Sequence, residues 1–296
     1  MYFRKSLLGF CVLLALFKFW PSDRWLSTAP FAYWPTLANL VLVILLMVWI
    51  RRYAILFSAL ILVLLFTFYI ENNRILVRSA EPEKQSIRVL QWNVWGARYG
   101  APTVSAAISK SEPDVVCLNE PKHSLKETRY PRYEKYLGKE WRALNEANVT
   151  VLSRFPVKLL EIYKGYGCAG VLVRIDTTPP IELLLLDISP EFDMLRRKTF
   201  SQLKNKLTER GRLPAVVTGD FNTASLADSL DPLYEIGYSD AYRVAGSGIA
   251  YTWPSFLPMI KIDYILVQKG WKVIHHESGF TRLSDHAWQF ADISPM

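Results

Sequence analysis

The segment Pro214–Ala224, PAVVTGDFNTA, joins a predicted buried strand to a pair of polar side chains and is the most informative part of the sequence for the fold. Its apolar residues Ala215–Val217 predict a short strand that begins after a proline. Gly219 permits a sharp turn, and Asp220 and Asn222 follow two residues apart. Residues i and i+2 of an extended chain face the same side, so a carboxylate and an amide are presented together. This pair suits catalysis on a phosphate, because Asp220 can hold a water or a metal and Asn222 can donate to a charged oxygen. Asp, Asn and Gly are, however, also ordinary turn residues.

The charge of the chain is unevenly distributed. The 296 residues are 51% hydrophobic and carry a formal net charge of +8. Residues 1–80 contain 8 Lys and Arg against 2 Asp and Glu, whereas residues 81–296 contain 27 against 25. The positive charge therefore flanks an apolar region and does not indicate a basic nucleic-acid-binding face. Three cysteines (Cys11, Cys117 and Cys168) give no disulfide framework, and the first two lie in apolar runs typical of buried residues.

The N-terminal region has the pattern of a membrane anchor with about three transmembrane helices. Phe31–Ile50 and Tyr53–Ile70 contain no charged residue, and each has about the length that crosses a hydrocarbon core. The shorter Leu7–Trp20 is either a first span or a segment that is cleaved or lies at the interface. The predicted organisation is an anchor at 1–78, a linker at 79–86 and a globular domain at 87–296.

Positive residues near the spans predict their orientation. Arg4 and Lys5 precede the first span, and Arg51–Arg52 form the tight turn between the second and third. Such residues are typical of cytoplasmic loops, so an odd number of spans places the downstream domain outside the cytoplasm. Arg74 and Arg78 favour the opposite orientation.

After the linker the sequence alternates between strand and helix patterns. Eight strands are predicted, at Ile87–Trp92, Asp114–Leu118, Val149–Leu152, Gly170–Ile175, Glu182–Leu186, Ala215–Val217, Ile262–Val267 and Trp288–Ile293. Helices are predicted at Thr103–Lys110 and Met194–Glu209. Many strands with intermittent helices predict a two-sheet α/β domain.

Polar residues lie at the ends of several of these strands. They are Asn93, Glu120, Asp220, Asn222, Asp263, Asp285 and His286. Each one alone is explained equally well as a turn, a cap or an exposed loop residue. Together they can converge on one rim of a sheet. Carboxylates and water suit Mg²⁺ or Mn²⁺, whereas Zn²⁺ would require more His and Cys.

These residues lie in motifs of a known family. The motifs are QWNVWG (91–96), PDVVCLNE (113–120), VLSRFPV (151–157), GDFNTA (219–224), TWPSFLPMIKIDYILV (252–267) and SDHAW (284–288). In their order and spacing, residues 87–296 resemble the endonuclease/exonuclease/phosphatase superfamily, and the apolar front end resembles its membrane-anchored bacterial branch. The resemblance implies an α/β fold, a four-layer α/β/β/α sandwich preceded by transmembrane helices. The predicted location is therefore the cell inner membrane, crossed several times, and the charges near the spans place the catalytic domain on the periplasmic or extracytoplasmic side.

The resemblance further implies metal-dependent hydrolysis of a phosphate ester by in-line attack of water. Glu120 would bind Mg²⁺ or Mn²⁺, with Asn93 beside it and Asp285 close to the same ion. A metal ion of this kind polarises a phosphoryl oxygen and lowers the pKa of its bound water. The substrate would be a nucleic acid, a lipid head group or a small phosphoester, with the membrane as a further partner and no obligate protein partner.

The same resemblance assigns the catalytic roles. Asp220 would position or deprotonate the attacking water, and Asn222 would donate a hydrogen bond to the charge that develops on the phosphorus centre. His286 would stabilise that charge or act as an acid or base, oriented by Asp263. A carboxylate commonly fixes the tautomer of an imidazole in this way.

One position departs from the family pattern. Members usually carry a His in a segment like THLDP, whereas LLLLDISPEF (183–192) places Asp187 there. In the family this His donates a hydrogen bond to the scissile phosphate, whereas an ionised Asp would repel it. Losing one such donor reduces rates by about 10²–10³. Arg196, Arg197 or a second metal held by Asp187 would compensate in substrate binding. The alternative is a catalytically weakened or inactive relative that acts as a binding or scaffold protein at the membrane.

Overall fold

The computed structural model describes residues 9, 36–49, 54–74, 86–122, 130–165, 167–191 and 196–296. Their strands are β1 Ile87–Asn93, β2 Val115–Asn119, β3 Arg142–Glu146, β4 Val149–Ser153, β5 Val157–Gly165, β6 Cys168–Ile175, β7 Ile181–Ile188, β8 Val216–Asp220, β9 Tyr238–Asp240, β10 Asp263–Gln268, β11 Trp271–Gly279 and β12 Trp288–Pro295. The helices are α1 Thr36–Trp49, α2 Ala54–Glu71, α3 Ala101–Ser109, α4 Glu134–Leu137, α5 Arg196–Glu209, α6 Asp231–Glu235 and α7 Ala241–Ala245. Two 3₁₀ turns complete them, at Trp95–Ala97 and Asp228–Leu230.

The strands form two six-stranded sheets. One has the order β11-β12-β1-β2-β4-β3, and the other has the order β5-β6-β7-β8-β10-β9. All eight predicted strands are present, with bounds that differ by a few residues. The sequence did not reveal β3, β5, β9 and β11, which are the four edge strands of the two sheets.

Three apolar clusters divide the domain into layers. Val89, Val151 and Val171 belong to the cluster that lies between the two sheets. Ile108 of α3 belongs to the cluster on the outer face of the first sheet, and Phe200 of α5 to that on the outer face of the second. Because strand side chains alternate between faces, each sheet packs on both sides. The mixed α/β fold with two sheets is therefore confirmed, with helices covering their outer faces.

The ends of the central strands bring polar residues to one edge. β7 and β8 run parallel, and their register pairs Asp187 with Asp220. β10 pairs antiparallel with β8, so Asp263 also lies opposite Asp220. Gly219 allows this close approach, because its φ is 140° and a Cβ there would collide with the carbonyl oxygen of Leu186. Only glycine tolerates both conditions.

The N-terminal helices α1 and α2 lie within the second and third predicted spans, and the two helices contact each other. Across the part of the chain that the structure describes, no helix is both long and apolar enough to cross a membrane. The structure therefore gives no support to the predicted spans. The first predicted span, at Leu7–Trp20, lies outside the described residues except for Gly9, as does the linker except for Ser86.

A small polar junction joins these helices to the domain. Glu71, at the end of α2, accepts hydrogen bonds through Oε2 from Thr36 Oγ1 (2.7 Å) and from Tyr251 Oη (2.6 Å). The backbone N–H of Ala250 donates to Asn72 Oδ1 at 2.8 Å. The helix pair is thus fixed to the loop that leads into β10.

Candidate active site

A buried histidine–aspartate pair forms the centre of the site. His286 Nδ1 lies 2.9 Å from Asp263 Oδ2, and His286 Nε2 lies 3.7 Å from Asp220 Oδ2. Since an ionised carboxylate only accepts hydrogen bonds, Nδ1 carries the proton that it donates to Asp263. Nε2 is then directed towards Asp220 and the rim, where a substrate atom would lie. The structure therefore brings together three residues that the sequence analysis singled out separately.

The backbone around His286 is held in place by neighbouring elements. Trp92 Nε1 donates to the carbonyl oxygen of His286 at 3.1 Å. Ser284 Oγ accepts from the His286 N–H (3.0 Å) and donates to the carbonyl oxygen of Asn93 (2.6 Å). Asp263 begins β10, and its N–H donates to Thr252 Oγ1 at 3.2 Å. The dyad is therefore fixed by β1, β10 and the loop before β12.

Asp220 is oriented by donors on both of its oxygens. The backbone N–H of Asn222 donates to Oδ1 at 2.9 Å, and Asn93 Nδ2 donates to Oδ2 at 3.0 Å. The side chain of Asn222 donates to the carbonyl oxygen of Ile188 (2.8 Å), which uses one of its two N–H groups. Asn222 has φ +47°, and its side chain is partly exposed beside Asp220.

Burial and like charge control the protonation of the centre. Burial, followed by the charge of Asp263, raises the pKa of Asp220 well above its ordinary range. Burial opposes the charged form of His286, but the charges of Asp263 and Asp220 outweigh it and raise the pKa of the ring to about 10. At neutral pH the ring is therefore an imidazolium that can donate from Nε2, next to a carboxylate with raised proton affinity.

The predicted metal ligands lie at the same edge. Asn93 Nδ2 donates to Glu120 Oε1 at 3.0 Å, while Asn93 Oδ1 accepts from the N–H of Trp95. Asp285 Oδ2 accepts from Trp253 Nε1 at 3.3 Å, but Asp285 Oδ1 is buried without a hydrogen-bond partner. A buried carboxylate oxygen without a hydrogen-bond partner fits a hard cation, which prefers oxygen ligands. Asn93 therefore orients Glu120 through its amide N–H, while its own Oδ1 accepts the N–H of Trp95.

A second group of buried ligand atoms is formed by the dyad itself. One ligand atom from each of Asp220, Asp263 and His286 lies within 4.8 Å of the others. In this group Nδ1 of His286 is already engaged by Asp263. The carboxylates that have uncommitted oxygens, Glu120 and Asp285, are therefore the better candidates for a metal.

Asp187 lines a cavity of about 550 Å³ together with Glu120, Lys122 and Asn222. Burial, followed by the charge of Glu120, raises the pKa of Asp187 to about 7. The residue therefore faces the site from the position where the sequence predicted it. Near neutral pH it is a mixture of carboxylate and neutral carboxylic acid, and the neutral form is a hydrogen-bond donor.

The two arginines proposed for substrate binding have other contacts. Arg197 Nη1 donates to the carbonyl oxygen of Asp228 (2.7 Å) and lies 3.3 Å from Asp231 Oδ2. Arg196 is buried and donates to the carbonyl oxygen of Ser189 at 3.3 Å. Among the described residues that line the cavity of Asp187, neither arginine is found. Substrate binding by Arg196 and Arg197 stays a prediction.

A second cavity of about 660 Å³ reaches the candidate site at Asp285. Its walls include Trp95, Phe256, Phe280 and Arg282, and Asp285 forms part of its lining. Phe256 is 84% exposed, which is unusual for so large an apolar side chain. The candidate site therefore adjoins two cavities, one lined by Asp187 and Glu120 and the other by Asp285 and aromatic side chains.

Two further residues, Gln91 and Asn119, support the site from beneath and were not among the predicted site residues. Gln91 lies two residues before Asn93 on β1 and donates to Asp263 Oδ1 at 3.1 Å. Asn119, directly before Glu120, accepts from Gln91 through Oδ1 and donates to the carbonyl oxygen of Leu186 at 2.8 Å. The signal was present for Gln91, because residues i and i+2 of a strand share one face.

Comparison with known proteins identifies the family. A search of the curated proteins found no significant match. Solved structures of similar fold include an endonuclease/exonuclease/phosphatase from Bacteroides vulgatus (20% identity, 72% of this chain and 100% of that one, TM-score 0.55). The mannosyl-6-phosphatase Bt3783 from Bacteroides thetaiotaomicron has 17% identity over 71% and 100% of the two chains, with a TM-score of 0.55. The 3′ phosphatase NExo from Neisseria, bound to a product DNA hairpin, has 17% identity over 70% and 99%, with a TM-score of 0.53. The Endonuclease/Exonuclease/phosphatase family model matches residues 90–286, two thirds of the chain, and the chain therefore belongs to this family.

Proposed function

We propose that the protein is a divalent-metal-dependent phosphoester hydrolase that cleaves its substrate by in-line attack of water. The observation that carries the proposal is the buried group formed by Asp263, His286 and Asp220, with distances of 2.9 and 3.7 Å from the imidazole. A histidine held by one carboxylate and facing a second is arranged for proton transfer and for stabilising charge. Its place at the ends of the central strands leaves the reacting edge open to a substrate.

The chain's own residues would divide the work as follows. Asp220, with its raised proton affinity, accepts a proton from the attacking water. His286, held as an imidazolium, donates from Nε2 to a phosphoryl oxygen as negative charge develops. Asp263 keeps the ring oriented, and the second N–H of Asn222 is available to the same developing charge. These groups are fixed before the reaction, so little reorganisation opposes it.

A cation would be held by Glu120 and Asp285, with Asn93 orienting Glu120. The fit rests on the buried Asp285 Oδ1, which has no hydrogen-bond partner, and on the oxygen-rich donor set. When bound, Mg²⁺ or Mn²⁺ would polarise a phosphoryl oxygen and lower the pKa of bound water.

Asp187 supports an active enzyme more than an inactive scaffold. Repulsion of a phosphate requires the ionised carboxylate, whereas the pKa of Asp187 lies at about 7. A substantial fraction is therefore neutral at physiological pH and can donate a hydrogen bond to a phosphate oxygen. The residue that appeared to repel a substrate can in this way replace a histidine donor.

The test is a hydrolysis assay with the full-length protein. The substrates are bis-p-nitrophenyl phosphate, a sugar 6-phosphate, 3′-phosphorylated DNA, RNA and sphingomyelin, each with Mg²⁺ or Mn²⁺ and with EDTA. Asp220→Asn removes the proposed base, and Asp176→Asn is the matched control, since Asp176 is exposed and paired with Arg174. We expect metal-dependent hydrolysis that Asp220→Asn lowers by at least about 10²-fold, because positioned acid–base groups contribute about 10²–10⁴.

The scaffold alternative makes a different prediction for the same panel. A folded wild-type protein that is inactive on every substrate, with either metal, would contradict the hydrolase proposal. Equal activity of Asp220→Asn and Asp176→Asn would leave hydrolysis intact but remove Asp220 from the mechanism.

We also propose that residues 1–78 attach the domain to the cell inner membrane, with the domain on the periplasmic side. Support comes from the uncharged stretches of the sequence and from exposed apolar side chains of the helix pair, such as Leu45, Leu62 and Phe66. The test is extraction of cell membranes with carbonate, together with a C-terminal reporter that is active only in the cytoplasm. Release of the protein by carbonate, or activity of the reporter, would contradict this location.

A further inference from the structure

A chain of buried side chains extends behind the dyad through the inter-sheet layer. His276 Nε2 lies 3.1 Å from Gln289 Oε1, and Gln289 Nε2 donates to Gln91 Oε1 at 2.9 Å. Gln91 Nε2 in turn donates to Asp263 Oδ1 at 3.1 Å. Gln91 and Gln289 are direct partners across the β1–β12 ladder. All of these side chains, and that of Asp263, are 2% exposed or less.

The direction of every hydrogen bond in this chain is fixed by the carboxylate at its end. Asp263 can only accept, so Gln91 must present its NH₂ group to it and its oxygen to Gln289. Gln289 must then present its own NH₂ group to Gln91 and its oxygen to His276. His276 must therefore carry its proton on Nε2. The low pKa of His276, about 4 because of burial, keeps the ring neutral and compatible with this tautomer.

Within this chain of side chains, the two carboxylate oxygens of Asp263 accept hydrogen bonds from two different partners. Oδ1 receives the donor from Gln91, and Oδ2 receives the Nδ1–H of His286 at 2.9 Å. The second N–H of Gln91 donates to Asn119 Oδ1 at 3.3 Å, which holds the amide in one plane. Rotation of the Asp263 carboxylate would break one of these bonds, and in a buried layer no water replaces it.

We propose that Gln91 and Gln289 are positioning residues that hold the Asp263 carboxylate, and through it His286, in the geometry needed for hydrolysis. The expected effect on hydrolysis rests on the proposed function, whereas the geometry of Asp263 and His286 can be tested whether or not the protein hydrolyses a substrate. Neither glutamine touches the place where a substrate would bind. Each one acts through the next member of the chain.

The kinetic test uses the full-length protein with Gln91→Met, which keeps the length of the side chain and removes its donors. We expect kcat to fall by about 10- to 100-fold with little change in KM, as for other residues that orient a reacting group. If the single variant folds poorly, Gln91→Met/Gln289→Leu also removes the Gln289 donor that Gln91→Met leaves without its partner. Thr150→Val is the control, because it removes a partly buried hydrogen bond to Asn145 in the same sheet, and neither residue belongs to the chain of side chains described above.

A double-mutant cycle separates positioning from general loss of structure. In an Asp263→Asn background, Gln91→Met should change kcat by less than about 2-fold, because the group through which it acts has already been altered. An equal loss in both backgrounds, or the same loss in Thr150→Val, would overturn the proposal.

A spectroscopic test decides the geometry even if the wild type turns over none of the substrates. In protein labelled with ¹⁵N-histidine, the Nδ1–H of His286 should give a deshielded proton resonance that Asp263→Asn removes. Gln91→Met should shift or broaden this resonance, and Thr150→Val should leave it unchanged. A resonance that is unaffected by Gln91→Met would overturn the proposal, whereas a perturbed resonance in an inactive wild type would contradict only the proposed function.

Discussion

The buried ion pair between Lys261 and Asp240 allows a quantitative prediction about stability. Lys261 Nζ lies 2.7 and 2.6 Å from the two carboxylate oxygens of Asp240, and both side chains are 2% exposed. The aliphatic part of Lys261 can be replaced by methionine without a large change in volume. Lys261→Met therefore removes the positive charge and leaves the carboxylate buried.

The size of the expected loss of stability depends on the hydrogen bonds that the Asp240 carboxylate keeps in Lys261→Met. Removing one partner of a buried ion pair destabilises a protein by about 3–5 kcal/mol. Asp240 Oδ1 still accepts the backbone N–H of Tyr242 at 3.1 Å, so we expect the lower end of this range. For a domain of this size, about 3 kcal/mol corresponds to a fall in Tm of about 6–12 °C. Lys261→Met/Asp240→Asn should recover most of the loss, because the buried charge is gone and Asn can still cap α7.

The assay is urea unfolding together with calorimetry of the full-length protein. Lys204→Met is the matched control, because Lys204 forms a 2.7 Å pair with Glu235 at the surface. Exposed pairs contribute little, so this variant should unfold close to the wild type. If Lys261→Met is no less stable than Lys204→Met, or if the double variant is less stable than the single one, the reasoning about the buried charge is refuted.

Three further predictions concern the site and the junction. Because the pKa of Asp187 is raised to about 7, the folded protein holds a proton that the unfolded chain releases, and stability should fall as pH rises from about 4 to 7; Asp187→Asn should reduce this slope, to which the raised pKa of Asp220 also contributes, and should raise the Tm at pH 8, as measured by thermal unfolding across pH. Gly219→Ala should yield no folded protein by circular dichroism, because its Cβ meets backbone at φ 140°, whereas Gly211→Ala, in open space at φ 69°, should still fold. Tyr251→Phe loses the 2.6 Å hydrogen bond to Glu71 and should increase hydrogen exchange at the end of α2 while the sheets stay protected; unchanged exchange there would contradict the role of the junction.

The sequence predicted the interior of the fold better than its borders. Each of the eight predicted strands lies inside a sheet, where the inter-sheet layer and the outer helices bury its two faces, so its residues form an apolar run. The four missed strands are all edge strands. β5, for example, has an exposed or intermediate residue at eight of its nine positions. Its pairing with β6 is fixed by backbone hydrogen bonds, which leave no trace in the hydrophobic pattern.

The candidate site was predictable only in part, for a similar reason. Asp263 and His286 could be singled out because they end or precede strands, but their contact across the sandwich depends on register that a single sequence does not contain. Gln91 illustrates the limit. Its position on the face of Asn93 could be read from the alternation of a strand, whereas its partners Gln289 and Asp263 lie 198 and 172 residues away along the chain.

The balance of buried charge separates this site from the rest of the domain. Asp240 is matched by Lys261, and Asp292 is matched by Arg88 at 2.7 Å. At the rim, Asp220 and Asp263 share one imidazolium, that of His286, with further carboxylates close by. Burial and the charge of Asp263 raise the pKa of Asp220, and burial and the charge of Glu120 raise the pKa of Asp187, so the arrangement lowers stability where one-to-one pairs would not. A protein that needed only the fold would gain from neutral residues here, and this excess of acid is the feature that supports the proposed metal-assisted hydrolysis, because a bound cation would offset it.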